Sequence, residues 1–279
     1  MEIDRVALIG LGLIGGSLAR DLAARGARVL GHDCDPETLE AALHDGAIAE
    51  ALGPGLEGIE EADVVILAVP VAAAPPLLEA LRPRLRRAHL ITDVGSTKRT
   101  IGLAAARLGL GDRFVGAHPL AGDHRSGWAA GRPGLFRDAR VFLCPTPATS
   151  VAARTLASTL WTTVGGRPEF VDADEHDRRL AWTSHLPQAT ATALAVALAD
   201  RGIGRAELGP GGRDTTRLAA SAPGIWTDIA LDNTASLVPA IAALEARLAE
   251  LRDALEHGDA EAVREFFARG RDWADRGPT

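Results

Sequence analysis

The chain has 279 residues, 47% of them hydrophobic, and a formal net charge of −7, which is enough length for two domains with substantial cores. Its acidic balance and scattered arginines exclude a nucleic-acid partner, because binding a polyanion needs a concentrated basic surface. Cys34 and Cys144 are far apart and lack metal-ligand spacing, no apolar run approaches the roughly 20 residues of a membrane span, and the start lacks a signal-peptide pattern. No metal, no membrane and a reducing, cytoplasmic compartment are therefore expected.

Val6 to Ile9 reads as a buried strand that runs straight into Gly10-Leu11-Gly12-Leu13-Ile14-Gly15 and then into an apolar-periodic helix from Ser17 to Ala24. This is the dinucleotide-binding pattern. Gly10 permits the tight turn off the strand, Gly12 lets a pyrophosphate approach the backbone, and Gly15 lets the helix pack closely on the sheet. The free N–H groups and dipole at that helix start favour phosphate, with Leu13 and Ile14 beside it. Arg28 to His32 is the second strand and ends at Asp33, whose carboxylate suits the two ribose hydroxyls and would repel a 2′-phosphate; the expected cofactor is NAD. Asp35 followed by Pro36 fits a helix N-cap, which leaves Asp33 for the ribose.

Val64 to Val69 reads as a buried strand ending at Pro70, with Val69 and Pro70 expected along the cofactor groove. There follow a helix over Ala73 to Leu81, a strand over Leu90 to Asp93, a helix over Thr97 to Arg107, and strands over Phe114 to Ala117 and Arg140 to Pro145. The alternation predicts an α/β fold, with a Rossmann-type doubly wound parallel sheet over residues 1–172. From 173 to 279 the pattern is all-helical. Leu180 to Leu198 and Leu237 to Leu255 are too apolar for ordinary surface helices, and a second copy of the chain is the simplest cover, so a homodimer through the C-terminal helices is expected.

Ligands of such sheets bind beyond the carboxyl ends of the strands. His118, after one such end, is the candidate acid–base residue, since an imidazole there can take the proton of a hydroxyl whose carbon loses hydride; a turn histidine before Pro119 is the equal alternative. Ser96 either caps the helix from Thr97 or orients His118. Lys98 reads as a solvated first-turn residue. Pro187 should kink its apolar helix, and Arg213 and Arg217, four apart, would project to one side of a helix, where they can fork onto carboxylates or pair at the surface.

GLGLIGGS at 10–17, DVGSTK at 93–98, HPLAG at 118–122, SHLPQ at 184–188 and GGRDTTRLA at 211–219 together resemble the prephenate/arogenate dehydrogenases of tyrosine biosynthesis, over nearly the whole chain. The resemblance implies NAD-dependent oxidative decarboxylation of a small cyclohexadienol. His118 would accept the proton of the 4-hydroxyl, Ser96 would hold that hydroxyl, and Arg217 would bind a carboxylate with support from Arg213. Ser184 and Gln188 would contact substrate, and Trp226 falls where members often have a pocket tryptophan, although a core aromatic is the simpler physical reading. Many prephenate-using members carry histidine where this chain has Gln188. A neutral amide tolerates the ammonium of arogenate, so arogenate or dual use is implied, or a 4-amino-4-deoxyprephenate-like analogue of secondary metabolism. Hydroxyacid and imine reductases usually place a lysine in the helical domain, whereas this chain's single lysine is Lys98. A catalytically silent NAD sensor would have no need of His118 with Arg217.

Overall fold

The structure is a computed structural model that describes residues 3–122 and 125–276. In chain order β1 is Arg5–Ile9, α1 Leu13–Ala23, β2 Arg28–His32, α2 Pro36–His44, β3 Glu50–Ala51, β4 Val64–Leu67, α3 Ala74–Leu81, β5 Leu90–Asp93, α4 Arg99–Arg107, β6 Val115–Pro119, β7 Arg140–Pro145, α5 Val151–Thr163 and β8 Arg167–Phe170. The first five strands form a parallel sheet in the order β3-β2-β1-β4-β5. Both faces of it are apolar, as in a doubly wound fold. Val6 and Leu8 look toward α1 and α5, which contributes Leu156, Leu160 and Trp161. Ala7 and Ile9 look the other way, toward Leu78 of α3 and Ile101 of α4. Each leucine fully buried in this way stabilises the fold by about 1.5–3 kcal/mol.

Beyond β5 the sheet departs from the all-parallel expectation. A parallel bridge between Ile91 and Phe114 carries it on to β6, but β6 and β7 are antiparallel, and β7 and β8 parallel. A parallel return needs a helical crossover, and the described residues between β6 and β7 hold only a single 3-10 turn, Trp128–Ala130. That loop is tied back to α1: Arg132 N–H donates to Ser17 Oγ at 3.0 Å, Gly134 N–H donates to Asp21 at 2.9 Å, and the Arg20 guanidinium stacks 3.5 Å from the Trp128 ring. It therefore stands over the start of the glycine-turn helix.

The rest is helical: α6 Ala173–Leu180, α7 Leu186–Ala199, α8 Pro210–Thr215, α9 Pro223–Asp232, α10 Thr234–Glu256 and α11 Ala260–Asp275. Between α6 and α7 the helix widens into a π segment, Ala181–His185. Pro187 lacks the N–H that a regular turn would require, and the chain accommodates it by local widening, so the anticipated disturbance takes the form of a bulge. No single helix among the described residues is long and apolar enough to cross a membrane.

Candidate active site

The glycine turn is shaped for a dinucleotide. Gly10 adopts φ +92°, and a Cβ there would lie 2.2 Å from the Ala68 carbonyl oxygen; a Cβ at Gly15 would lie 1.9 Å from the Gly10 oxygen. At Gly12 a Cβ would meet nothing within 4 Å, so the turn is closely packed behind and open in front. Gly12 is also the N-cap of α1 and offers no side chain to the helix start, leaving its N–H groups to an anion. Asp33 stands at the end of β2 and braces the turn: its Oδ2 accepts from Leu11 N–H at 2.7 Å and its Oδ1 from Asp35 N–H at 3.0 Å. Each oxygen keeps a further lone pair for a ribose hydroxyl. Asp35 caps α2 through Glu37 N–H, with Pro36 in the first turn. A cavity of about 300 Å³ runs from Gly12, Leu13, Ile14 and Gly15 past Val69, Pro70 and Ser96.

At the end of β5 the structure departs from what the sequence suggests. Helix α4 begins at Arg99, so Ser96 does not cap it. Ser96 instead lines the cofactor cavity and its neighbour. Lys98 is not solvated at all: it is 1% exposed, and its Nζ pairs with Asp93 Oδ2 and donates to the Ala117 carbonyl at 2.8 Å. The start of α4 is capped from the helical domain by Asp177, whose carboxylate accepts from Lys98 N–H at 2.8 Å and Arg99 N–H at 3.0 Å. A carboxylate at a helix start is favoured by the dipole as well as by these bonds.

The same Asp177 anchors the candidate acid–base residue. His118 lies inside β6, paired opposite Phe142, rather than after the strand end. Its Nδ1 is 2.9 Å from His176 Nε2, and His176 Nδ1 is 2.7 Å from Asp177 Oδ1. An ionised carboxylate only accepts, so His176 Nδ1 carries the proton, His176 Nε2 accepts, and His118 Nδ1 donates. That leaves the lone pair on His118 Nε2. Burial, and then the charges of His176, Lys98 and His185, hold the His118 pKa well below its ordinary value. Burial also lowers His176, outweighing its bond to Asp177. Burial alone would raise Asp177, but hydrogen bonds from His176 and the backbone of Arg99 and Lys98 prevail and hold it low. At neutral pH the relay is thus a neutral base, His118, backed by the neutral His176 and the anionic Asp177.

His118 opens on a cavity of about 730 Å³ that also receives Ser96, Ser184, Arg205, Arg217, Ser221 and Trp226. This cavity and the cofactor cavity share Leu13, Ile14, Ser96, Ile225 and Ile229, so the two are contiguous. Arg217, on a 3-10 turn over Arg217–Ala220, thus shares a cavity with His118. Arg213 does not reach it, because α8 ends at Thr215 and the Arg213 Nε donates to the Leu208 carbonyl at 2.7 Å. Gln188 does not line it either. Its Nε2 donates to the Leu218 carbonyl at 2.8 Å and its Oε1 accepts from Ser221 at 3.4 Å, so it braces the turn that carries Arg217. Trp226 lines the cavity instead of the core.

Sequence reading missed His176, Asp177 and Arg205. A helical signal was there for the first two: His176, Asp177, Leu180 and Ala181 fall one turn apart and are all buried, which puts the titratable pair on the inward face.

The prephenate dehydrogenase nucleotide-binding model matches residues 18–170, and the prephenate dehydrogenase dimerization model matches 172–269. The chain is 34% identical to a prephenate dehydrogenase of Bacillus subtilis (strain 168), over 98% of this chain and 76% of the relative. It is 35% identical to a cyclohexadienyl dehydrogenase of Zymomonas mobilis, over 94% of this chain and 92% of that one. The solved prephenate dehydrogenase of A. aeolicus, in complex with hydroxyphenyl propionate and NAD+, superposes with a TM-score of 0.90 at 30% identity, covering 99% of both chains. With a glycine turn, a buried histidine relay and a paired cavity laid out along the same length of chain, the protein belongs to the prephenate dehydrogenase family.

Proposed function

We infer that the protein catalyses NAD-dependent oxidative decarboxylation of prephenate, arogenate or both, giving 4-hydroxyphenylpyruvate or tyrosine. The observation that carries this reading is the meeting of His118 and Arg217 in one cavity that adjoins the glycine-turn cleft. NAD, when bound, takes up the hydride that leaves the substrate carbon bearing the hydroxyl. His118 Nε2 is the free lone pair in the cavity and draws the hydroxyl proton as that hydride departs. The imidazolium so formed is stabilised through His176 by the Asp177 carboxylate, which need not itself be protonated. Ser96, at the junction of the two cavities, holds the hydroxyl against His118. The bond from ring to carboxylate then breaks, its electron pair enters the ring and carbon dioxide leaves; the phenolate oxygen takes its proton back from the His118 imidazolium, and aromatisation supplies the driving force. The chain's part is therefore orientation and charge placement.

Both substrates carry two carboxylates, and the cavity carries two guanidiniums, Arg217 and Arg205. Arg217 is assigned the ring carboxylate. Arg217→Ala is expected to raise KM about 10- to 100-fold, the cost of losing a hydrogen bond to a charged group, with kcat changed far less; an unchanged KM would remove that assignment. The activity itself is tested by following NAD reduction with prephenate and with arogenate, and a chain that binds NAD yet reduces none with either is not this enzyme. Gln188 does not line the His118 cavity and its amide is taken up by Leu218 and Ser221, so it discriminates between the two side chains by no direct contact.

We further propose a division into two domains at Asp172 and a homodimer built through the C-terminal helices. Of the 23 residues of α10 only Leu237 and Ala240 are buried within the chain, while Val238, Leu248 and Leu255, with Phe267 and Trp273 of α11, stay exposed. An apolar surface of that extent on two adjacent helices suits a second copy.

A further inference from the structure

The cofactor cavity contains a charged group that the reaction does not use. Asp228 of α9 lines it from the helical domain, across from the glycine turn. It is half-buried, and it makes no hydrogen bond or ion pair with any described residue. Its neighbours in the wall, Ile225 and Ile229, are residues shared with the His118 cavity. Asp228 therefore lies on α9 beside Ile229 and one turn from Ile225, the two residues of that helix that both cavities share. The only other charged lining residue among those described is Arg125, on the loop after β6.

The orientation of a dinucleotide in this cleft follows from two fixed points. Its pyrophosphate belongs at the start of α1, and Asp33, which suits the adenosine ribose, stands outside this cavity on the other side of the glycine turn. The half of the cofactor that enters the cavity is then the nicotinamide half, and its far end is the junction at Ser96, Ile225 and Ile229. The nicotinamide ring is cationic when oxidised and neutral when reduced. A carboxylate with no ion-pair partner among the described residues, set in a partly dehydrated wall, acts on the first form and hardly on the second, since attraction between unit charges strengthens as the local dielectric falls.

We propose that Asp228 is the residue that sets the redox preference of the cofactor site, favouring NAD+ over NADH by its charge. Substrate-ready cofactor is held, and the reduced form, having lost its positive ring, is released. This rests on the cofactor reading given above. It also assigns the helical domain a part in cofactor binding.

The test is calorimetric titration of NAD+ and of NADH into the full-length protein, with Asp228→Asn and Asp228→Glu beside the unaltered chain. Asparagine keeps the shape and removes the charge. Asp228→Asn is expected to weaken NAD+ about five- to tenfold and NADH less than twofold, while Asp228→Glu retains the original ratio of the two constants. Equal weakening of both forms by Asp228→Asn, or no change in either, overturns the proposal. If the unaltered chain binds neither form, it is the cofactor reading that has failed.

Discussion

Replacing His118 by asparagine is expected to lower kcat by about 10²–10⁴, the range for losing a positioned general base, with the NAD dissociation constant unchanged. Among the described residues His118 is the one imidazole that lines the cavity, and with its Nδ1 committed to His176, and His176 to Asp177, the Nε2 lone pair is left for the substrate. Asparagine keeps a polar group near the hydroxyl but accepts no proton, so turnover falls while the glycine turn, on different strands, is untouched. Steady-state rates together with a cofactor titration check both halves; undiminished turnover would take His118 out of the chemistry. The pH profile carries the same assignment. The base works only when neutral, and its pKa is held well below the ordinary 6.5. Activity is therefore present above that lowered pKa, and the acid limb of kcat/KM is expected below the usual imidazole range. Stability runs in the same direction. His185, also buried, has its pKa lowered to about 4, so between pH 6.5 and about 4 the unfolded chain binds more protons than the folded one. Unfolding free energy should fall as pH drops through that window.

Lys98→Met is expected to cost about 3–5 kcal/mol of folding stability, measured by urea or thermal unfolding. The methionine fills most of the space, so the loss is electrostatic. Asp93, 3% exposed, would be left as an uncompensated buried carboxylate, which is the expensive way to break a buried pair. One of its oxygens, Oδ1, already has no hydrogen-bond partner among the described residues, and the other depends on Lys98 and the Gly95 N–H. Against a typical total of 5–15 kcal/mol such a loss is large. Adding Asp93→Asn to Lys98→Met should recover much of it, since the stranded charge is removed. If Lys98→Met alone costs less than about 1 kcal/mol, the pair is not the support it looks to be. Because Lys98 also donates to the Ala117 carbonyl, the residue before His118, the variant should blunt turnover too.

The unevenness of what could be read in advance has a physical pattern. The glycine turn, the strand before it, Asp33 and the Asp35 cap are set by near neighbours. Steric freedom, alternation and capping act over a few residues, and a linear text records them. The switch from alternating strands and helices to a wholly helical half was visible for the same reason. Strand β8, by contrast, buries none of its four residues and carries little periodic signal, whereas helix α5, with Ala153, Leu156, Ala157, Leu160 and Trp161 at helical spacing behind a Ser150 cap, was legible but not assigned; the antiparallel return of β7 depends on what the intervening loop does not contain.

At the site, residue types were legible but directions were not. His118, Ser96, Ser184 and Arg217 were expected at substrate, and all four line one cavity. Arg213 and Gln188 were expected with them and are spent on carbonyls nearby, because the ending of a helix turned one side chain and the packing of a turn claimed the other. Lys98 read as a surface charge, since nothing in its neighbourhood announces that Asp93 will be folded against it. His176 reaches His118 across 58 positions and two domains. The sequence alone determined the cofactor turn, the class of fold and the kinds of groups available for chemistry, because those follow from local backbone sterics and periodicity. Only the tertiary structure decided which of those groups touch, since a buried polar side chain goes to whichever partner satisfies it, and that partner is chosen by packing between distant segments.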